Sequence, residues 1–181
     1  LPDIIETDKL DVKQNVRTGL FRDDFSEESL GFDWNFIYNP VEELWELKKN
    51  SLILYGNETS LAEPDSMAWV GRRQEHHHCI ARTKLEFERN HDSEEAGITL
   101  YMNNLHHYAA ALTRIDDREY IIFRRQIGSL WKVERQIPYE KDSVVFEVHC
   151  SKERYTFWYG ESKEELQYLG QGETDYLTTE V

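Results

Sequence analysis

Hydrophobic and polar residues alternate with a period of two in several stretches of the chain, and that pattern predicts strands. The clearest case begins at position 79. Cys79, Ala81, Thr83, Leu85 and Phe87 share one face, while Arg82, Lys84, Glu86 and Glu88 share the other. Residues 144–150 set Val144, Phe146, Val148 and Cys150 against Val145, Glu147 and His149, and residues 154–160 set Tyr155, Phe157 and Tyr159 against Trp158. Further strands are expected at 20–25, 32–38, 96–102, 105–115, 119–127, 130–136 and 167–169, the last ending before Gly170 and Gly172.

Turn residues separate these runs. Residues 44–48 and 51–55 read as a hairpin across Lys49-Asn50, and Gly128-Ser129 closes another. Asn103-Asn104 suits a tight turn because asparagine tolerates positive φ, and residues 116–118 turn the chain again. Residues 57–66 read as a loop, and only 162–166 have helical character. Roughly ten short strands with frequent turn signals predict an all-β antiparallel sandwich of two sheets. Its expected core is Phe25, Trp34, Leu54, Leu85, Phe87, Leu100, Phe146, Val148 and Phe157. The small residues Ala109, Ala110 and Ala111 suggest close packing or the floor of a groove.

Composition narrows the partners. The 181 residues suit one domain, and 39% hydrophobic with 31% charged residues marks a globular chain. A net charge of −14 repels a phosphate backbone and an anionic membrane surface, so nucleic acid and membrane are poor partners. The aromatic share of 13% favours strands and, on a concave face, sugar rings. No apolar run reaches the length of a membrane-spanning helix. Residues 1–18 show no clean period and read as a linker or arm. The start lacks a secretory signal and an initiator Met, so the chain reads as an excised piece. Cys79 and Cys150 fall on apolar strand faces and read as buried reduced thiols; the alternative is a disulfide between neighbouring strands.

The densest functional chemistry precedes the strand that starts at Cys79: Arg72, Arg73, Gln74, Glu75, His76, His77 and His78 within seven positions. On a strand His76 and His78 share a face, which His106 or His107 could approach. A transition-metal site needs three or four converging ligands, and no HExxH or Cys-rich spacing is present, so polar histidines beside a groove are the better reading. The 35 Asp and Glu are too many to single out a pair for glycoside hydrolysis. No GxSxG, P-loop or GxGxxG motif occurs. Asp23-Asp24 suits a structural calcium at a sandwich rim, with Asp24 the favoured ligand, or a solvated edge pair.

Four stretches in order carry a family likeness: Phe21-Arg22-Asp23-Asp24-Phe25; Leu30-Gly31-Phe32-Asp33-Trp34-Asn35-Phe36 with Asn39-Pro40; Gly71-Arg72-Arg73-Gln74 with His76 and then Ala81-Arg82-Thr83; and Glu95-Ala96-Gly97-Ile98-Thr99-Leu100-Tyr101-Met102. In these the chain resembles the C-terminal domain of glycoside hydrolase family 43 enzymes, the β-xylosidases and α-L-arabinofuranosidases. The resemblance implies a concanavalin A-like two-sheet jelly-roll sandwich over 19–181, following a five-bladed propeller that holds all the catalytic carboxylates. It implies that this chain supplies no catalytic residue, and that the parent is a bacterial-type cytoplasmic or periplasmic hydrolase of pentose-containing oligosaccharides. Arg72, Arg73, Gln74 and His76 become candidates for contact with the propeller or its sugar pocket. Relatives run on past the point matching Thr178 with a Phe-Thr-Gly segment and a closing strand. The expectation is therefore a sandwich lacking its final strand, with an incomplete and weak calcium site. A free-standing carbohydrate-binding module or lectin is the alternative. A sandwich glycanase ranks last, because no Glu-x-Asp-x-x-Glu spacing falls on a concave strand.

Overall fold

Two four-stranded antiparallel sheets face each other across one hydrophobic core in the computed structural model, which describes residues 19–39 and 41–179, the side chain of Glu42 apart. In chain order the strands are β1 (Trp34–Phe36), β2 (Trp45–Leu47), β3 (Leu52–Leu54), β4 (Val70–Arg72), β5 (Cys79–Glu86), β6 (Glu95–Asn103), β7 (His106–Ile115), β8 (Arg118–Ile127), β9 (Leu130–Pro138), β10 (Ser143–Cys150), β11 (Arg154–Gly160) and β12 (Gln167–Glu173). One sheet has the order β12-β11-β10-β5 and the other β6-β7-β8-β9, while β1 pairs β4 and β2 pairs β3 in two small ribbons. The all-β sandwich read from the sequence is the observed architecture. The arm over 1–18 and the closing strand lie outside the described residues.

The inward faces meet as alternation demands. Phe146, Val148 and Cys150 of β10 and Tyr155, Phe157 and Tyr159 of β11 pack against Tyr108, Ala110 and Leu112 of β7 and Ile121 and Phe123 of β8. Phe123 and Phe157 sit with ring centroids 5.0 Å apart. Of the expected core, Phe146, Val148 and Phe157 are fully buried, and Leu85, Phe87 and Leu100 pack against it half-buried. Leu54 is 43% exposed on the β2–β3 ribbon, and Phe25 and Trp34 are half-buried in a cluster of their own.

Several local expectations give way to packing. Residues 20–25 form no strand: Phe25 takes a positive φ of 55°, and the Asp23 carboxylate rather than a neighbouring strand receives its amide. The strand expected over 32–38 shrinks to β1, with Tyr38 at φ 62°. Residues 162–166 form a turn, and the helical turns are 3-10 segments at Glu42–Leu44 and Asp175–Leu177. Lys49 and Asn50 have φ of 53° and 56°, the turn that matches strand twist. Asp116 and Asp117 make the equivalent turn between β7 and β8, at 50° and 61°. At the β6–β7 hairpin neither asparagine takes a positive φ; the Asn103 side chain accepts the Leu105 amide at 2.9 Å instead. Strand β12 runs through Gly170 and Gly172, because the rings of Phe123 and Tyr108 occupy the space where Cβ atoms would lie, at 2.2 and 2.3 Å.

Candidate functional site

The aromatic cluster beside the β1–β4 ribbon is built around one carboxylate. Asp23 Oδ1 accepts the Phe25 amide at 2.8 Å, and Oδ2 accepts the Trp34 indole N–H at 2.7 Å. The Trp34 ring holds Phe25 at 5.5 Å and Phe21 edge-on at 6.0 Å. Arg72, opposite Trp34 in the β1–β4 pair, lays its guanidinium 3.6 Å over the Phe21 ring. It also lies 3.6 Å from both Asp33 and Glu75. Cation–π and ionic contacts thus occupy Arg72 within the domain.

The following residues separate into two roles. Gln74 Oε1 accepts from the Tyr155 hydroxyl at 3.2 Å, and Nε2 donates to the His76 carbonyl at 2.8 Å. Tyr155 stands in the core on β11, so Gln74 moors the loop 73–78 to the sandwich. Arg73, His76, His77 and His78 are exposed, and among the described residues Arg73 has no ion-pair partner. An exposed guanidinium beside three imidazoles, on a strongly acidic protein, offers planar donors to a carboxylate or to sugar hydroxyls.

Asp24 is exposed, and its Oδ1 accepts the Ser26 amide at 3.2 Å. Hydrogen bonds from the Ser26 side chain and backbone hold its carboxyl below the usual range. Calcium takes six to eight oxygens. Asp23 is committed to Phe25 and Trp34, and no group of three or more His, Cys, Asp or Glu that could hold a metal gathers among the described residues.

Cross-strand register assembles two further clusters that the sequence does not reveal. On the β6–β9 sheet, Arg124 of β8 reaches across β7 to Glu95 of β6, Nη1 donating to Oε1 at 2.8 Å and Nη2 to Oε2 at 2.7 Å. This bidentate strap passes over Ala109 and Ala111, which are almost fully buried; the small residues serve close packing rather than an open groove. Arg124 also lies 5.7 Å from the Trp131 ring. In the next row Tyr101 stacks on the buried His107 at 5.7 Å. Burial, against a weak opposing hydrogen bond to the Asn103 carbonyl, lowers the His107 pKa to about 4.

On the other sheet, Arg82 of β5 and His149 of β10 both bind the buried Glu147 carboxylate. Burial alone would raise the Glu147 pKa, but these two donors outweigh it and hold the carboxyl below its ordinary value. Trp158 and Tyr168 continue the row, Trp158 lying 5.7 Å from His149 and 5.6 Å from Tyr168. The signals were in the sequence as Arg82, Glu147 and Trp158 on polar strand faces, but only the register Arg82↔Glu147↔Trp158↔Tyr168 joins them.

Two facing four-stranded antiparallel sheets around one core give the chain the architecture of a concanavalin A-like sandwich. The chain belongs to the family described as the beta xylosidase C-terminal concanavalin A-like domain, whose model matches residues 22–181. It is 31% identical over 142 residues to a non-reducing end alpha-L-arabinofuranosidase of Bacteroides ovatus, covering 75% of this chain and 26% of that protein. It is 26% identical over 155 residues to a beta-xylosidase of Bacillus subtilis, covering 79% of this chain and 28% of that one. Among solved structures, a glycoside hydrolase family 43 protein of Bacillus licheniformis superposes with a TM-score of 0.83 at 25% identity, over 87% of this chain and 31% of its own. The chain thus spans about a quarter to a third of the length of the relatives it matches. No helix among the described residues is long and apolar enough to cross a membrane.

Proposed function

We propose that this chain serves a glycosidase that acts on xylose- or arabinose-containing oligosaccharides, seating on a five-bladed propeller catalytic domain and helping to shape its sugar pocket through the loop 73–78. The observation that carries this reading is the family match over 22–181, in a chain that covers only 26% and 28% of two relatives named for arabinofuranosidase and xylosidase activity. The site supports it. Arg73 and His76 are exposed on a loop that Gln74 anchors, which presents donors to a second surface without strain on the sandwich. A neutral sugar is also the ligand class that a net charge of −14 does not repel.

The reading predicts that the purified chain alone does not hydrolyse aryl β-xylosides or aryl α-L-arabinofuranosides. Steady-state assays at high protein concentration are the check. Turnover that follows the protein through successive purification steps, and that disappears in a variant of one of its own carboxylates, would overturn the accessory role.

A further inference from the structure

The two cysteines fall opposite each other. Cys79 opens β5, Cys150 closes β10, and the register pairs them directly. Both side chains lie at the core side, Cys150 buried and Cys79 half-buried, and both are free thiols. Directly opposed residues of an antiparallel pair have Cα atoms about 4.5–5.5 Å apart, inside the range of about 4.4–6.8 Å that a disulfide spans. The same row continues through Tyr155 of β11, the residue whose hydroxyl moors Gln74. Cys79 directly follows His78, the last residue of the loop 73–78. Its strand is the edge of its sheet, with β10 its sole neighbour among the described residues.

We propose that Cys79 and Cys150 form a reversible redox latch, closed by a low-molecular-weight disulfide, that clamps the edge strand β5 and with it the base of the loop 73–78. In the first step the Cys79 thiol gives up its proton and attacks one sulfur of the small disulfide. This forms a mixed disulfide and releases one small thiolate. Cys150 then loses its proton and attacks Cys79 Sγ, so the Cys79–Cys150 bond forms as the mixed disulfide breaks and the second small thiolate leaves. Two protein thiols are oxidised and one small disulfide is reduced to two thiols.

The order of attack follows from access: Cys79 is reachable, whereas Cys150 is enclosed and burial with the adjoining Cys79 pushes it up to about 12. Cβ atoms directly across strands stand about 4.5–5.5 Å apart, wider than the mean of about 3.8 Å in a disulfide. The bond therefore pulls the strands together, and strained bonds of this kind are the readily reduced ones. The link does not depend on what the loop touches, so its test is separate from the proposed partner.

The test uses the reduced full chain incubated with oxidised glutathione in native buffer, followed by intact mass and peptide mapping without reductant. The expected product has lost two hydrogens, carries a peptide joining Cys79 to Cys150, and returns to the thiol form with dithiothreitol. Hydrogen exchange should then slow about tenfold over β5 and the loop 73–78, relative to the reduced chain, because local opening of the edge is suppressed. Cys150→Ala should instead accumulate a stable glutathione adduct on Cys79. A persistent adduct in the wild-type chain, no link at all, a link formed only in denaturant, or unchanged exchange in the linked form would each overturn the latch.

Discussion

Replacing Phe157 with alanine is expected to destabilise the sandwich by about 3–5 kcal/mol. Phe157 is fully buried and its ring lies 5.0 Å from that of Phe123 on the opposite sheet. It sits mid-strand on β11, between Val148 of β10 and Gly170 of β12. Gly170 has no side chain to move into the space, and the Phe123 ring already packs on it. The cavity would therefore stay largely open, which places the loss at the high end of such substitutions. A typical domain has about 5–15 kcal/mol in all, so the variant should be close to unfolding at room temperature. Urea titration of both chains is the check. Ile80→Ala, at a position 61% exposed on the outer face, should shift the same curve by no more than about 0.5 kcal/mol. A loss under about 1 kcal/mol for Phe157→Ala would mean that the two sheets do not close on this ring.

Acid should weaken the fold well before its carboxylates titrate. His107 is 1% exposed, and its pKa in the folded chain is about 4 against an ordinary 6.5. Between those values the unfolded chain binds a proton that the folded chain refuses. Stability from this group is therefore complete above about pH 6.5 and is lost as pH falls toward 4. The total is on the order of 3 kcal/mol, at about 1.4 kcal/mol per unit. The cause is burial against Tyr101, reinforced by the charge of Arg124, which the Glu95 strap fixes close by. His107→Phe keeps a ring on Tyr101 and removes the proton. Unfolding free energies measured from pH 7 to pH 5 should fall in the wild type and stay nearly level in the variant. Equal slopes would show that another group carries the effect.

How much of this was legible depended on whether one face or two faces of a strand are covered. In β10 and β11, Phe146, Val148, Phe157 and Tyr159 alternate cleanly because each strand meets the core on one side. Strand β7 is buried on both sides from His107 to Thr113, so its Ala109-Ala110-Ala111 run carries no phase. What covers its outer side is the Arg124–Glu95 strap, a contact between residues far apart in sequence. The first motif misled for a related reason. Residues 20–25 read as a first strand, yet the Asp23 carboxylate takes hydrogen bonds from Phe25 and Trp34 and no ladder forms there. At the candidate site the sequence offered Arg72, Arg73, Gln74 and His76 as equals. Structure divides them: Arg72 is held by Phe21, Asp33 and Glu75, Gln74 is held by Tyr155, and Arg73 and His76 remain available. Adjacent residues on a short ribbon point to opposite sides, but only the partners on each side tell which face is used.

On the proposed function, Arg73 serves a surface beyond this domain. The most direct measurement is kcat/KM on an aryl pentoside for the proposed propeller-containing enzyme carrying Arg73→Ala, taken at low temperature beside the melting of the sandwich. A charge-assisted contact worth about 1.5–3 kcal/mol predicts a fall of roughly tenfold or more. The side chain, exposed and without an ion-pair partner among the described residues, predicts that stability changes by no more than about 0.5 kcal/mol. Wild-type kinetics in the variant, with the sandwich melting early, would contradict the account and make the loop a purely structural feature.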